Sequence, residues 1–325
     1  MDTKKFSAAE IAEKIISGER LKKNDDLDFL IEMPLEELQR GAGAIQKNFC
    51  GNHIDLCTII SGKMGGCSEN CKYCAQSAKH HTKVESYEFL SAEKIFEVAA
   101  ADERAGVNRF SIVTSGRALS GKDFEKAVAA YELLKKKLSI ELCASHGILT
   151  KEQLAKLHSV GVKRYHHNLE TSRRFFPQIC TSHTYDDRIK TILAAQSVGL
   201  EVCAGGIIGM GETWQDRFEM AFELAALKIK SIPINILTAI KGTALENIPP
   251  LSEPEILRTI AAFRFINPDA NIRLAAGRKF LRAMGEEAFL NGASAAITGN
   301  MLTTSGNSIK DDMELLKKLG LTNRE

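Results

Sequence analysis

The sequence has almost no net charge and no long apolar segment. Its 43 Lys and Arg residues nearly balance its 41 Asp and Glu residues, which leaves a formal net charge of +2. A protein that binds nucleic acid or an anionic membrane through charge needs a basic surface, so the composition offers no electrostatic argument for either partner. Runs of about 18 apolar residues, which a membrane-spanning helix requires, are also absent. We therefore expect neither nucleic acid nor a membrane as a partner.

The opening segment lacks the apolar core of a secretory signal peptide. MDTKKFSAAEIAEKI carries charged residues throughout, and a cytoplasmic location is therefore expected. In a reducing compartment the eight cysteines are not expected to form disulfides. An isolated cysteine is usually a small buried apolar residue. Clustered thiols in a Gly-rich loop have little packing role, and they indicate metal or catalytic chemistry.

Repeats, low-complexity tracts and linkers are absent too, and no G-x-G-x-x-G nucleotide fingerprint follows the first strand. The chain does contain eight short apolar runs, most of them separated by amphipathic segments. The runs are DLCTIIS, NRFSIVTS, SIELCAS, KRYHHNL, EVCAGGIIG, SIPINIL, NIRLAAG and ASAAIT. This alternation predicts parallel strands joined by crossover helices. Eight strands, each but the last followed by a helix, favour an α/β fold of the closed (β/α)8 TIM-barrel type.

Helix boundaries support the barrel prediction. TKEQ and SEPE place Ser or Thr three residues before Gln or Glu, as at a helix N-terminus, and two amphipathic segments end in SVG, as at a glycine C-terminus. Residues 1–50 are expected to form a mostly helical N-terminal extension, and residues 51–325 the barrel domain. In such barrels the chemistry lies at the carboxyl ends of the strands.

One loop of the expected barrel carries three of the cysteines. In GKMGGCSENCKYCAQSA, residues 62–78, Cys67, Cys71 and Cys74 are spaced C-x3-C-x2-C directly after the first strand. A structural zinc takes four ligands, and disulfides need an even number of thiols. A [4Fe–4S] cube has four irons, so three thiolates leave one iron open to a substrate molecule. Zinc remains an alternative interpretation.

The same loop, with Tyr73 before its last cysteine, resembles the signature of the radical S-adenosylmethionine superfamily. The resemblance implies that the open iron binds the amino and carboxylate groups of S-adenosylmethionine. It also implies reductive cleavage of this cofactor to a 5′-deoxyadenosyl radical that removes hydrogen from unactivated C–H bonds. Such chemistry requires a site that excludes water and oxygen.

Segments far beyond the loop resemble the biotin synthase family. They extend over about residues 50–320 in the order and spacing of that family, and they are YCAQSA, HNLETS, SHTYDDRIKT, VCAGGIIGMGE, INILTAIKGTAL, RLAAGR and NMLTT. The resemblance implies a sulfurtransferase that inserts one sulfur between C6 and C9 of dethiobiotin, with an auxiliary iron–sulfur cluster inside the barrel as the sulfur donor. It further implies an electron donor such as flavodoxin or ferredoxin, the iron–sulfur assembly machinery as a partner, and a homodimer.

The sequence departs from the family at the auxiliary cluster. The common form has a [2Fe–2S] cluster with cysteines at positions that match Ser111, Cys143 and Cys203, and the first of these is serine here. Cys57 on the first strand and Cys180 in FFPQICTSH are present where the common form lacks them. We therefore hypothesise a rearranged ligand set of Cys57, Cys143, Cys180 and Cys203, which would hold a two-iron or a four-iron cluster. The alternative is that Cys57 and Cys180 are buried thiols.

Arg273 in NIRLAAG is expected beside the auxiliary cluster. A guanidinium is costly to bury unpaired, thiolate charge would compensate it, and the family uses the matching arginine as a cluster ligand. The resemblance also assigns three residues of HHNLETS. Asn168 is expected between the two substrates, Glu170 stands where an aspartate usually contacts the cofactor ribose, and His166 is expected near dethiobiotin.

Three further segments match positions that bind cofactor or substrate. Arg188 in TYDDR is expected to face the methionine carboxylate, a task that suits a guanidinium fork, and the alternative is a surface ion pair with a neighbouring aspartate. Asn235 in PINIL is expected to bind ureido or adenosyl polar atoms, or else to cap a strand end. Thr114 and Ser115 of TSGR lie at a strand end, where backbone carbonyls could bind the amino group of the cofactor.

Two rival functions remain open. Another radical enzyme of the same barrel type, such as an iron-hydrogenase maturase or a methylornithine synthase, would keep the cysteine loop but use another substrate. INILTAIKGTAL and RLAAGR argue against this rival, and Ser111 argues for it. The second rival is a non-enzymatic iron–sulfur scaffold or zinc-binding module, which would need no S-adenosylmethionine pocket.

Overall fold

The computed structural model describes residues 6–303 and 306–323 and contains every predicted strand. Eight apolar runs form nine strands, because the fifth run is divided into two pieces. The strands are β1 Asp55–Lys63, β2 Arg109–Thr114, β3 Glu141–Ser145, β4 Val162–His166, β5 Glu201–Cys203, β6 Gly206–Ile208, β7 Ser231–Ile236, β8 Asn271–Leu274 and β9 Ala295–Ile297.

All strand pairings are parallel, and the sheet closes on itself. The order β5-β4-β3-β2-β1-β9-β8-β7-β6 is completed by a pairing of β5 with β7. Two glycines explain the break between β5 and β6. A Cβ on Gly205 would lie 2.0 Å from the carbonyl oxygen of Pro233, and a Cβ on Gly206 would lie 2.4 Å from that of Glu170. The neighbouring backbones approach here more closely than a side chain allows.

Helices follow the strands and form the outer layer. The helices are α1 Ala8–Ile16, α2 Phe29–Glu32, α3 Leu35–Cys50, α4 Ala92–Arg104, α5 Gly121–Lys137, α6 Lys151–Ser159, α7 Phe176–Ile179, α8 Tyr185–Ser197, α9 Trp214–Ala226, α10 Glu253–Ile266, α11 Glu286–Leu290 and α12 Ile309–Lys318. Thr150 forms the predicted capping box with Gln153, and Ser252 accepts a hydrogen bond from the Glu255 amide. Gly161 and Gly199, the glycines of the two SVG segments, have positive φ, as a helix C-terminus requires.

The prediction that no helix follows the last strand is wrong. Helix α12 comes after β9, and its N-cap Ser308 accepts a hydrogen bond from the Asp311 amide. Asp312 on this helix forms a buried ion pair with Arg278, in which the side chains are only 1% and 4% exposed. This contact joins the helix to the segment after β8. Because this contact is long-range, the sequence does not show it. The helical periodicity of the ten residues of α12 was the local sign of the helix.

The first three helices form the predicted N-terminal extension and cover the outside of the barrel. Helix α3 packs against α10, and Phe29 of α2 meets Phe265 of α10 edge to face at a centroid distance of 5.7 Å. Gln46 donates a hydrogen bond to the carbonyl of Phe289 and accepts one from the amide of Gly292. The division of the chain at residue 50 remains a prediction. Among the described helices, none has the length and apolar character needed to cross a bilayer.

Candidate active site

The barrel encloses a cavity of about 370 Å³, here called the barrel cavity. Three thiols that the sequence suggested as auxiliary-cluster ligands line it, from Cys57 on β1, Cys143 on β3 and Cys203 on β5. Ser111 pairs with Cys143 across β2 and β3, and His166 pairs with Cys203 across β4 and β5. Paired residues of parallel strands point to the same face. These side chains and that of Cys57 therefore project into the barrel cavity, and they are here called the thiol layer.

The thiols of this layer contact one another and polar neighbours. The neighbouring thiols of Cys57 and Cys143 interact, which lowers the pKa of Cys57 and raises that of Cys143. Burial opposes ionisation of Cys203, but the hydrogen bond with His166 and nearby arginine charge lower its pKa to about 6. Ser231 also donates a hydrogen bond to the sulfur of Cys203 over 3.3 Å. The layer can therefore supply thiolates, which are the form that binds iron.

A group of charged side chains lies next to the thiols, toward the amino ends of the strands. It consists of Asp55, Arg109, Arg164 and Arg273 and is here called the ionic floor. The carboxylate of Asp55 accepts hydrogen bonds from Arg109 at 3.0 and 3.1 Å, from Arg164 at 3.2 Å and from Arg273 at 2.6 Å. Burial would raise the pKa of Asp55, but the three guanidiniums hold it well below its usual range. Arg109 and Arg164 also pair with Glu141 and Glu201, so the cations do not outnumber the carboxylates. Arg273 still lies close enough to the thiols to lower the pKa of Cys57 and Cys203.

Arg273 lines the barrel cavity, and its surroundings include a partner that the sequence did not indicate. This side chain is 2% exposed and donates to the backbone carbonyls of Asp55 and Ala296, to the Asp55 carboxylate and to Ser231. The guanidinium therefore has its counter-charge within the protein, and its pairing does not depend on a cluster.

Sequence reasoning missed Asp55, Arg109 and Arg164, although a signal was present. On five strands a charged residue stands two positions before a residue of the thiol layer, which places both on the same face. These pairs are Asp55 and Cys57, Arg109 and Ser111, Glu141 and Cys143, Arg164 and His166, and Glu201 and Cys203. A charge repeated at the amino ends of barrel strands, two positions before residues that face the cavity, predicts an ionic floor.

The loop of residues 67–78, here called the cluster loop, lies at the carboxyl end of β1. Its ends are tied together by hydrogen bonds from the Cys67 amide to the Gln76 carbonyl and from the Ala78 amide to the Cys67 carbonyl. Cys74 reaches the barrel cavity, whereas Cys67 and Cys71 line a second cavity of about 160 Å³, here called the mouth cavity. Burial raises the pKa of Cys74 to about 11, so a metal must displace its proton on binding.

Three predicted site residues stand where the two cavities meet. His166, Asn168 and Glu170 line both of them. Asn168 accepts a hydrogen bond from the Gly205 amide at 3.0 Å and donates to Glu170 at 3.3 Å. Glu170 has a positive φ of 72°, a conformation that non-glycine residues rarely adopt outside functional or tightly constrained positions.

Arg188 points into the mouth cavity and is not part of a surface ion pair with its neighbours. It is 7% exposed, donates to the carbonyl of Asn168 at 2.9 Å and lies 3.4 Å from a carboxylate oxygen of Glu170. Asp186 pairs with Arg173 instead, and Asp187 caps helix α8. Within residues 6–303 and 306–323, the buried Nε of Arg188 has no hydrogen-bond acceptor.

The remaining predicted residues have structural partners. Thr114 lines the mouth cavity and bonds to Nδ1 of His146. The hydroxyl of Ser115 donates to the carbonyl of Gly65 at 2.7 Å, which joins β2 to the approach of the cluster loop. Asn235 lines the barrel cavity, but its amide donates to the Gly206 carbonyl and accepts from the Ala276 amide, as a strand-end cap would.

The structure does not bring Cys180 together with Cys57, Cys143 and Cys203, so the four-thiol ligand set is corrected. Its sulfur lies 3.7 Å from that of Cys71, at the mouth of the barrel. The segment after α7 is bound to the cluster loop, for example by the hydrogen bond from the Lys72 amide to the Ile179 carbonyl. That docking carries Cys180 to the loop rather than into the cavity.

Comparisons with known proteins agree with this architecture. A model of the radical SAM superfamily matches residues 63–224, and a model of the biotin and thiamin synthesis associated domain matches residues 233–322. A biotin synthase of Alkaliphilus metalliredigens is 54% identical over 320 residues, which cover 98% of this chain and 99% of the relative. One of Clostridium perfringens strain 13 is 58% identical over 292 residues, covering 90% and 92%. The chain belongs to the biotin synthase family.

Two solved structures have the same fold as this biotin synthase family member. A methylornithine synthase gives a TM-score of 0.82 at 19% identity and covers 97% of both chains. The [FeFe]-hydrogenase maturase HydG gives 0.82 at 19% identity, covering 98% of this chain and 76% of its own. Such distant similarity establishes the barrel alone. The choice among barrel enzymes therefore depends on the sequence relatives.

The two cavities fit the cofactors of a biotin synthase, which are a [4Fe–4S] cluster, S-adenosylmethionine and an auxiliary iron–sulfur cluster. The cluster loop supplies two thiols beside the mouth cavity and a third, Cys74, beside the barrel cavity. Among the described residues the Nε–H of Arg188 at the mouth cavity has no acceptor, which suits an anionic ligand group. The barrel cavity supplies three more thiols next to the ionic group of Asp55 and its arginines. Both donor sets are of the kind that iron–sulfur clusters require.

Proposed function

We propose that this chain is a biotin synthase that inserts one sulfur between C6 and C9 of dethiobiotin. The observation that carries the proposal is the presence of two separate thiol sets, one on the cluster loop and one inside the barrel. The two cavities that these sets face meet at His166, Asn168 and Glu170. A radical generated at the mouth would need to travel only across this junction to reach a substrate held over the inner thiols.

The first set comprises Cys67, Cys71 and Cys74, which would hold the [4Fe–4S] cluster and leave one iron for S-adenosylmethionine. When bound, this pair supplies a 5′-deoxyadenosyl radical. Arg188 would bind the methionine carboxylate, because its free Nε–H is buried at the mouth cavity. Glu170 would accept hydrogen bonds from the ribose hydroxyls, and Asn168 would hold it in place.

The second set comprises Cys57, Cys143 and Cys203, which would hold the auxiliary cluster as the sulfur donor. Arg273, Arg164 and Arg109 would offset the thiolate charge from below through their shared contact with Asp55. The barrel cavity also has an apolar wall that would exclude water and pack against the alkyl chain of dethiobiotin. This wall includes Ile59, Val113, Ile207, Ile236, Leu237 and Ile297.

The partners follow from the same function. A reduced flavodoxin or ferredoxin would deliver the electron, iron–sulfur assembly proteins would load both thiol sets, and the chain would form a homodimer. A cytoplasmic location is proposed with them, because these partners work in the reducing compartment that iron–thiolate sites need.

The test is conversion of dethiobiotin by the anaerobically reconstituted, reduced protein. We expect biotin together with about two molecules of 5′-deoxyadenosine per biotin, one for each C–S bond. Cys71→Ala should lose the loop cluster and all cleavage of S-adenosylmethionine. Cys50→Ala, which changes a thiol outside both cavities, is the matched control and should retain both activities.

Two outcomes would contradict the proposal in different ways. Deoxyadenosine without biotin or a thiolated intermediate would mean a radical enzyme with another substrate. Failure of the wild-type protein to cleave S-adenosylmethionine under strong reduction would favour an iron–sulfur scaffold.

A further inference from the structure

Three metal-binding side chains meet at the mouth of the barrel in a group that the proposed function does not use as a unit. The group consists of Cys71 from the cluster loop and Cys180 and His183 from the segment between α7 and α8, and it is here called the mouth triad. One ligand atom from each lies within 4.8 Å of the others, and all three residues are buried. Buried thiols and imidazole in one group are the donors that zinc-type cations prefer.

The spacing of the mouth triad matches a tetrahedral site. With Zn–S bonds of about 2.3 Å and Zn–N bonds of about 2.05 Å, tetrahedral angles place two sulfurs about 3.8 Å apart and a sulfur and a nitrogen about 3.6 Å apart. The sulfurs of Cys71 and Cys180 are 3.7 Å apart. Nδ1 of His183 lies 3.4 Å from the sulfur of Cys180, and Nε2 lies 3.9 Å from it. A cation could be accommodated with little movement of the side chains.

The surroundings orient the imidazole as in known metal sites. Nδ1 of His183 donates a hydrogen bond to the carboxylate of Glu69, which also accepts one from the hydroxyl of Ser182. Nδ1 is thereby occupied, and Nε2 keeps its lone pair for a cation. A carboxylate bound to the far nitrogen of a metal-ligating histidine is the usual arrangement, because it fixes the tautomer and the ring plane.

The open side of the mouth triad faces the mouth cavity. Cys71 and His183 both line that cavity, so water or a small anion could complete four-coordination, and a cation could reach the site from solvent. Three protein ligands with an open fourth position are a common zinc arrangement.

We propose that the chain without its iron–sulfur clusters binds one zinc-type divalent cation through Cys71, Cys180 and Nε2 of His183. Cys71 would also be a ligand of the loop cluster, so the two occupants exclude each other. Zinc bound here blocks loading of the [4Fe–4S] cluster until it is removed. The proposal concerns binding of a single cation and does not depend on the reaction that the loaded enzyme catalyses.

The test uses the full-length protein purified anaerobically without clusters and titrated with Co²⁺ as the probe. Wild-type protein should bind Co²⁺ with a thiolate-to-cobalt charge-transfer band and the intense visible bands of a tetrahedral site. Cys180→Ala and His183→Ala should each weaken this binding at least 100-fold, and Glu69→Gln about 10–100-fold, as expected for a partner that orients a ligand. Cys180→Ser is a second variant that preserves side-chain size, and circular dichroism checks that each variant is folded.

Two control variants separate the mouth triad from the other thiols. Cys74→Ala removes a thiol of the same loop that is not in the triad, and Cys143→Ala removes a thiol of the barrel cavity. Both should keep the mouth-triad spectrum and its affinity. The proposal is overturned if wild-type protein shows no tetrahedral cobalt–thiolate spectrum. It is also overturned if that spectrum survives in folded Cys180→Ala and His183→Ala but disappears in Cys74→Ala or Cys143→Ala.

Discussion

At the scale of single residues, Asp55 holds the floor of the barrel cavity together. It is 3% exposed and contacts three arginines that are themselves largely buried. Removing one member of a buried ionic group leaves the other charges unpaired in a medium of low dielectric constant. The stability of the barrel and the charge available to the inner thiols therefore depend on the same carboxylate.

Asp55→Asn should lower the free energy of unfolding at pH 7 by about 3–5 kcal/mol. The folded-state pKa of Asp55 lies below its usual value of 3.8, so its contribution is complete above that value and is lost as the pH falls toward the folded pKa. The difference between wild type and variant should therefore shrink below about pH 4. Urea unfolding of the cluster-free protein at several pH values measures this difference.

The matched control is Asp186→Asn, which removes a carboxylate from an exposed pair with Arg173 whose side chains are 62% and 53% exposed. An exposed pair contributes less than about 1 kcal/mol. The ionic group would not stabilise the fold if both substitutions lowered the free energy of unfolding equally at pH 7. The same conclusion would follow if the difference in this free energy between wild type and Asp55→Asn did not shrink at acid pH.

The ligands of the auxiliary cluster can be tested one thiol at a time. Cys57→Ala should lose second-site iron, because it removes a thiolate from a cavity with few other donors. Ser111→Ala should retain this iron, since the three remaining thiols are intact. Cys180→Ala should retain it too, because its sulfur lies against Cys71 at the mouth. Mössbauer counting of the iron in each variant, beside deoxyadenosine and biotin assays, gives the answer.

Loss of the auxiliary cluster in Ser111→Ala, with full retention in Cys57→Ala, would make the serine a ligand after all. Loss in Cys180→Ala as well as in Cys57→Ala would restore the four-thiol set that the sequence suggested.

At the scale of elements, the cluster loop is positioned by the segment after α7. The side chain of Asn70 accepts hydrogen bonds from the amides of Thr181 and Ser182 at 3.0 and 3.1 Å and donates to the hydroxyl of Thr181. One side chain thus makes three of the contacts between the two segments. The geometry of the three loop thiols depends on this docking as well as on the hydrogen bonds within the loop.

Asn70→Ala should loosen the cluster loop without unfolding the barrel. We expect faster amide hydrogen exchange in residues 67–78 and 179–184 and lower retention of the loop cluster during gel filtration, because local opening needs fewer bonds to break. Asn291→Ala is the control, since within the described part of the chain that side chain bonds only to the carbonyl of Glu287 at the end of α11. Unchanged exchange in both segments would mean that the loop is held by its own hydrogen bonds.

The elements themselves were largely predictable, and the exceptions have identifiable causes. Strand runs and capping boxes are patterns over four to eight residues, so they could be read without any tertiary contact. The break between β5 and β6 depends on how closely Pro233 and Glu170 approach the two glycines. Helix α12 is held by Arg278, which is 34 residues away from Asp312 in the chain.

At the scale of the whole molecule, the N-terminal helices cover an apolar face of the barrel. Phe29 packs on Phe265 of α10, and a Cβ on Gly41 would lie 2.7 Å from the ring of Phe265. The close approach of α3 to α10 leaves no space for solvent. The extension is therefore continuous with the packing of the outer helical layer.

Deletion of residues 1–50 should leave a fragment that aggregates or binds a hydrophobic dye strongly, because the face of α10 becomes exposed. Analytical ultracentrifugation and dye fluorescence of residues 51–325 beside the full chain measure this effect. A soluble, monodisperse fragment with full iron content would instead support a domain division at residue 50.

The sequence by itself determined the barrel, the three-cysteine loop and the biotin synthase family. Each of them is indicated by local residue spacing or by motifs in a fixed order. Cys57, Cys143 and Cys203 were also predictable, since alternation along a strand places such residues on one face. Only the tertiary structure decided the position of Cys180 and the ionic floor around Asp55. Cys180 meets Cys71 across 109 residues, and Asp55 meets Arg273 across 218. Contacts of that range depend on the path of loops and on the closure of the barrel. The repeated charges before the inner thiols indicate that charged groups gather there, but they do not show which of them pair, and no local pattern places Cys180.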